Sequence, residues 1–145
     1  MYTCIDILQT KDKAFQAYHN FTSWAQTQHG VKIKVLRSDH GGEYTSWAFM
    51  QLLQGEGTER HLTTYDTSQH NGITESLNCH LLEQVCTILN YSRLPKTLWA
   101  EALHFAIWLK NCTSTCTLSN NTTPLEKLTG INPNLSGVPE WGQTV

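Results

Sequence analysis

The sequence predicts an α/β domain. Three observations carry that prediction. Short runs of β-branched and aromatic residues recur along the chain. Between them, apolar residues return at helical spacing. Glycine or a polar cluster punctuates each junction. The order is strand, helix, strand, helix, strand, helix, helix, which implies at least two crossover units. The 145 residues suit one compact domain and not comfortably two.

Taken in order, "YTCIDIL" (2–8) reads as a strand, being short and rich in β-formers. From Lys11 to His29, Phe15, Tyr18, Phe21 or Thr22, and Ala25 recur with helical period, and Gly30 stops the helix. "VKIKVL" (31–36) alternates Val31, Ile33 and Val35 with lysines and then turns apolar, as a strand running into the interior would. Thr45 or Ser46 can cap a helix over "WAFMQLLQGEG", which Gly55 and Gly57 end. "ERHLTT" (59–64) is a short strand. "YDTSQHNG" (65–72) reads as a polar loop with Asn71-Gly72 as its turn. A long helix follows from about Thr74 to Asn90, with Leu77, Leu81, Val85, Ile88 and Leu89 as its apolar stripe. Pro95 starts another helix whose apolar residues nearly encircle it, so it is expected to be buried. Beyond Asn111 the chain loosens, with one short helix near Pro124–Leu128.

Composition restricts function. Charged residues make up 15% of the chain, against about 25% in a typical soluble domain, and the formal net charge is −2. A protein that grips phosphates is usually basic, so a nucleic-acid function has to be argued from a site. No apolar run approaches the roughly 20 residues that span a bilayer, and the first residues lack a signal-peptide pattern. The chain is therefore read as intracellular with no membrane partner, and N-x-[ST] matches such as Asn90-Tyr91-Ser92 as chance. Five cysteines, an odd number, argue against a disulfide framework. Cys112 and Cys116 lie one helical turn apart, but no second close Cys/His pair completes a zinc site.

The chemistry concentrates on two carboxylates. Asp39 follows a strand end, the usual place for ligands in an open α/β sheet. Glu75 opens the long helix after a loop. Each has an ordinary explanation when taken alone: Asp39 as a turn-former, Glu75 as an acid favoured by the helix dipole. Together, "RSDHGGEYTS" and "SQHNGITESLNCHLLE", with 35 residues between Asp39 and Glu75, resemble the catalytic core of retroviral and retrotransposon integrases of the Ty1/copia type. The resemblance continues through "LPKTLWAEALHFAIWLKN", "TPLEKLTGINPNL" and "PEWGQ" and covers nearly the whole chain.

The resemblance implies an RNase H-like fold and DDE chemistry. In such enzymes three carboxylates hold two divalent ions that serve an in-line phosphoryl displacement. Hard Mg2+, or Mn2+, suits carboxylate oxygens. Asp39 matches the family's second carboxylate and Glu75 the third, so both are the candidate catalytic and metal-holding residues. Gln69, Asn71, Gly72 and Asn78, in the motif around Glu75, are the candidate nucleic-acid contacts. DNA, at element ends and target, and further copies of the integrase are the implied partners. The implied location is the nucleus for a working integrase.

The family's first aspartate and first two strands have no match here. Asp6, Asp12 and Glu43 are poor replacements: Asp6 sits at a strand position, Asp12 begins a helix away from the motif, and Glu43 belongs to the family's usual "GGE". The expectation is an RNase H-like fold truncated at the N-terminus, first two strands missing, with residues 1–130 a partial catalytic core and 131–145 an irregular tail leading out of it. The family sheet order is 3-2-1-4-5. The strands at 2–8 and 31–36 would be its third and fourth and would lack their common neighbour, so the isolated chain is expected to be insoluble or to melt without a sharp transition. The expected function is an integrase fragment inactive by itself. The alternatives are a part of a longer active DDE integrase or polyprotein, and a host-adopted non-catalytic binding module.

The resemblance also marks departures. Cys79, Cys86, Cys112 and Cys116 stand where relatives commonly carry Arg or another basic or polar residue, and Ser68 stands where proline is usual. Single C-to-T transitions would leave this pattern, and the codons would test it. Positions 75, 79 and 86 project on one side of the long helix, the side that faces DNA in a working integrase.

Overall fold

The computed structural model describes residues 1–62, 68–115, 118 and 121–143; of residues 68–71 and 73 it describes the backbone. The chain divides into two compact units, one of Met1–Ile5 with Glu75–Val145 and one of Asp6–Thr74.

In the 6–74 unit a 3-10 turn over Lys11–Lys13 leads into α1, Ala14–His29. Gly30 closes α1 in the left-handed conformation (φ 63°), where its N–H reaches the carbonyl of Gln26 at 3.0 Å. β1 spans Val35–Ser38, α2 Trp47–Glu56 and β2 Glu59–Leu62. β1 and β2 pair in parallel, Val35 opposite Glu59 and Ser38 opposite Leu62, with α2 as the crossover between them. Ser46 caps α2 by accepting the N–H of Phe49 at 3.4 Å, and Gly57 (φ 70°) ends it. Phe49 is fully buried beneath the rings of Phe15, Tyr18 and Tyr44, with centroids 5.9, 5.1 and 5.6 Å away. The Thr22 hydroxyl donates to Glu56 Oε1 at 3.0 Å and ties α1 to the end of α2.

The other unit is helical. α3 runs Ser68–Ser92, with its residues from Glu75 onward in this unit. A 3-10 turn over Lys96–Leu98 precedes α4, Trp99–Cys112, and α5 is Pro124–Thr129. Leu81, Val85 and Leu89 pack with Ala102, Leu103, Ala106 and Ile107 into the core, and Ile5, Leu77, Ile88, Leu98 and Trp141 lie against it. Thr123 caps α5 by accepting the Glu126 N–H at 3.1 Å.

Four expectations are corrected. Residues 2–8 form no strand. A β-rich run becomes a strand only when a neighbouring backbone completes the ladder. Here the neighbour is a side chain: Thr3 N–H donates to Asn111 Oδ1 at 2.9 Å, and Asn111 Nδ2 donates to the Thr3 carbonyl at 2.7 Å. Asn111 is buried and offers one acceptor and one donor, as a peptide group would. Lys110 Nζ adds a bond to Thr3 Oγ1 at 2.9 Å.

The second correction is that the 31–36 strand is shifted to Val35–Ser38 and does not run into an interior. Val31 and Val35 are exposed, and Ser38 is the buried residue of β1. Among the described residues the sheet has two strands, so one flank of each has no described ladder beside it. Third, residues 68–72 are helical, so Asn71-Gly72 is no turn; residues 65–67 lie outside the described set. A glycine inside a helix costs only about 1 kcal/mol relative to Ala, less than a long packed helix gains by extending. Fourth, α4 is not buried all round, since Trp99 and Trp108 stay exposed over a little under half of their surface.

The Asn111 clasp is directly testable. Asn111→Ala leaves the Thr3 N–H and carbonyl without their partner, a loss of about 1–3 kcal/mol. Amide exchange at Thr3 should then accelerate roughly tenfold or more, while amides in the middle of α4 keep their rates. Unchanged exchange at Thr3 would mean the clasp does not protect that backbone.

Candidate metal centre

Asp39 directly follows β1, at its carboxyl end. Its Oδ1 accepts the Gly41 N–H at 3.0 Å. Two further turns carry the chain to α2: Tyr44 N–H reaches the Gly41 carbonyl at 3.0 Å and Thr45 N–H the Gly42 carbonyl at 3.2 Å. The loop is thus a chain of local hydrogen bonds between a strand end and a capped helix.

Gly41 is the tight point in this loop. A Cβ added there would lie 2.9 Å from Glu43 Cδ and 3.0 Å from both Asp39 Oδ1 and Glu43 Oε1. The two carboxylates therefore flank Gly41, with these oxygens at most twice that distance apart. Burial pushes the Tyr44 phenol up, and the charges of Glu43 and Asp39 add to the shift.

Glu75 is exposed on α3, in the other unit from Asp39. The helix starts at Ser68, so Glu75 stands about two turns in. The dipole acts mainly within the first turn and so does not account for this residue. Cys79, Leu82 and Cys86 are exposed on the same helix, Leu82 at 57%. Asn78 is exposed and Gly72 half-buried; Gln69 and Asn71 are placed on the first turn of α3 by backbone alone. His80 Nδ1 lies 2.6 Å from the Ser76 carbonyl, so Nδ1 carries the proton of the bond.

The structure thus brings Asp39 together with Glu43, and it places Glu75 and Asn78 on one exposed helix. Among the described residues no three His, Cys, Asp or Glu side chains gather as a metal-binding group. Cys112 is buried, which pushes its thiol up; Cys116 lies outside the described residues. The sequence reading missed the convergence of Glu43 on Asp39. Its available signal was Gly41, a small residue between two acids.

No family model matches the chain. It is 41% identical over 105 residues, 72% of its length, to the Retrovirus-related Pol polyprotein from transposon TNT 1-94 of Nicotiana tabacum, and covers 8% of that protein. It is 29% identical over 141 residues, 97% of its length, to that from transposon RE2 of Arabidopsis thaliana, covering 10%. The Transposon Ty1-LR3 Gag-Pol polyprotein of Saccharomyces cerevisiae is 26% identical over 135 residues, 93% of this chain, of which the chain covers 8%. The chain is a relative of the Ty1/copia-type retrotransposon Pol polyproteins. It spans about a tenth of the length of the curated relatives it matches. A chain in the structure of the simian T-cell lymphotropic virus intasome in complex with PP2A regulatory subunit B56 gamma shares its fold, with TM-score 0.62 and 19% identity over 93% of this chain and 45% of that one. The fold of this retrotransposon segment is integrase-like.

The exposed side of α3 yields a prediction about this Pol relative. Glu75, Cys79 and Cys86 occupy that side without a Lys or Arg among them. Cys79→Arg with Cys86→Arg should steepen the dependence of log K on log salt for duplex DNA by up to about 2 units if both reach phosphates. An unchanged slope would place the DNA on another face.

Proposed function

We propose that the chain is part of the catalytic core of a Ty1/copia-type retrotransposon integrase. In this reading the fold is RNase H-like, with β1 and β2 as its fourth and fifth strands and the first two strands not represented. The carrying observation is the pair of carboxylates in a recognised relationship. Asp39 ends a parallel strand, and Glu75 stands exposed on the helix after β2, within a segment homologous to Pol polyproteins.

The donor chemistry fits a divalent ion. Asp39 and Glu75 offer hard oxygens, which Mg2+ and Mn2+ prefer. By the family resemblance, Asp39 and Glu75 are the residues that would hold metal. Bound metal would supply Lewis acidity toward phosphate and a more acidic attacking hydroxyl. The chain's own groups set the geometry: the Gly41 N–H orients the Asp39 carboxylate, and α3 fixes the position of Glu75 along a rigid rod. DNA ends and further integrase copies are the proposed partners, by likeness to a chain of an intasome structure.

The 145 residues by themselves supply two of the three carboxylates the chemistry needs, so we assign them no activity in isolation. A second reading is that the segment works inside a longer polyprotein. The length of its relatives favours it.

A gel assay on a labelled duplex with an element-like end tests both. The chain alone should yield neither end processing nor strand transfer with Mg2+ or Mn2+; products lost in Asp39→Asn would overturn the assigned inactivity. Joined to a relative's upstream segment carrying the first aspartate, it should become active, and Glu75→Gln should abolish that activity. A silent joined protein would count against the integrase reading of this site.

A further inference from the structure

We infer that the end of α1 and the segment leading into β1 form a contact surface for single-stranded nucleic acid, with Trp24 as the platform on which a base stacks and Lys32 and Lys34 as contacts to its phosphates. The inference shares only its class of partner with the integrase reading; Asp39 and Glu75 take no part in it.

Charge is unevenly spread along the chain. The formal net charge is −2, yet residues 13–38 contain no Asp or Glu and hold Lys13, Lys32, Lys34 and Arg37. Lys32 and Lys34 are exposed on either side of the half-buried Ile33. Neither enters an ion pair among the described residues. The acids of the two elements packed beside this segment are engaged: Glu56 of α2 accepts the Thr22 hydroxyl at 3.0 Å, and Glu59 of β2 pairs with His61 at 2.8 Å. Arg37 stands opposite His61 in the ladder, beside that pair, and is left out of the site.

The aromatic component is ordered. Trp24 is 38% exposed and is held by two rings, Phe21 with its centroid at 6.0 Å and His29 at 4.8 Å. The chain then folds back on α1: Val31 N–H reaches the Ala25 carbonyl at 3.2 Å. Trp24 precedes one end of that bond by one residue, and Lys32 follows the other end by one. The segment is next tied to the turn into β2, by Thr58 Oγ1 donating to the Ile33 carbonyl at 2.8 Å and Glu59 N–H to the Lys34 carbonyl at 2.9 Å. Ring and ammonium groups are thus carried by backbone that is fixed before a ligand arrives, which lowers the ordering cost of binding. In a duplex each base is already stacked on its neighbours, so an exposed ring gains a partner only from unpaired bases. That selects a single strand, with cations beside the ring to track its backbone.

Fluorescence anisotropy of a labelled oligothymidylate, and of a duplex of the same length, titrated with the whole chain tests this without any catalytic readout. The single strand should bind more tightly than the duplex. Trp24→Leu should weaken single-strand binding by roughly five- to a hundredfold, the loss of one stacked base, and Trp24→Phe, which keeps a ring, should weaken it less. Lys32→Gln with Lys34→Gln should lower the slope of log K against log salt by up to about 1.4 units. All four positions changed or flanked lie at the surface or half-buried, and circular dichroism of each variant keeps folding apart from binding. No binding by wild type, a duplex bound as tightly as the single strand, or wild-type affinity in Trp24→Leu would overturn the inference. None of these results bears on Asp39 and Glu75, whose reading stands or falls by the gel assay.

Discussion

Phe49 is the contact on which the 6–74 unit depends. It is fully buried, and the three rings that cover it come from α1 (Phe15, Tyr18) and from the loop after β1 (Tyr44). Burying one such ring contributes about 1.5–3 kcal/mol, and edge-on ring contacts add to this. Its larger effect is geometric. α2 is the crossover that makes β1 and β2 parallel, and Phe49 sits in its first turn, directly beyond the Ser46 cap. Tyr44 is fixed against Phe49, Glu43 precedes Tyr44, and Asp39 is tied to Gly41. The acidic loop is thus suspended between a strand end and a buried ring.

In the helical unit, Ala102 and Ala106 of α4 share one core cluster with Leu81, Val85 and Leu89 of α3. The rigidity of α3 follows from that packing more than from propensity, since the helix carries a glycine at 72 and several residues of middling helix preference. The same packing turns Leu81, Val85 and Leu89 inward and leaves Glu75, Cys79, Leu82 and Cys86 outside. Core residues and the exposed residues around Glu75 thus occupy different sides of one helix, so changes at the exposed positions cost little stability.

Much of this was legible in the sequence. Gly30 and Gly57, the latter offered together with Gly55, marked helix ends, Thr45 or Ser46 a start that Ser46 makes, and Leu77 to Leu89 the inner stripe of α3, because each signal is local or periodic. What failed was context. Residues 2–8 have strand composition, but whether a backbone edge is met by a strand or by the Asn111 carboxamide depends on a residue more than a hundred positions away. Val35 has the character of an interior strand residue, yet its burial depends on neighbours outside its own run, and it stays exposed. Asn71-Gly72 reads as a turn by dipeptide preference, which is weaker than helix propagation once α3 is packed. Asp39 and Glu75 were singled out through the resemblance of the motifs around them, spacing included, to the integrase family. Glu43 was set aside by motif membership, and only coordinates reveal that it faces Asp39 across Gly41.

Holding a metal ion and gripping DNA make different demands on a protein surface. The first requires a few oxygens fixed by short loops and a rigid helix, and the loop around Asp39 has that character with local bonds alone. The second requires positive charge along a surface, since phosphate affinity scales with the number of cations that replace counterions. A chain with net charge −2 and an outer α3 side bearing thiols and a leucine is poor in that respect. Substituting thiols on an exposed helix side disturbs no packing, so nothing in the fold opposes such changes. A change at Gly41 or Phe49, by contrast, would be felt at once in the loop or the core.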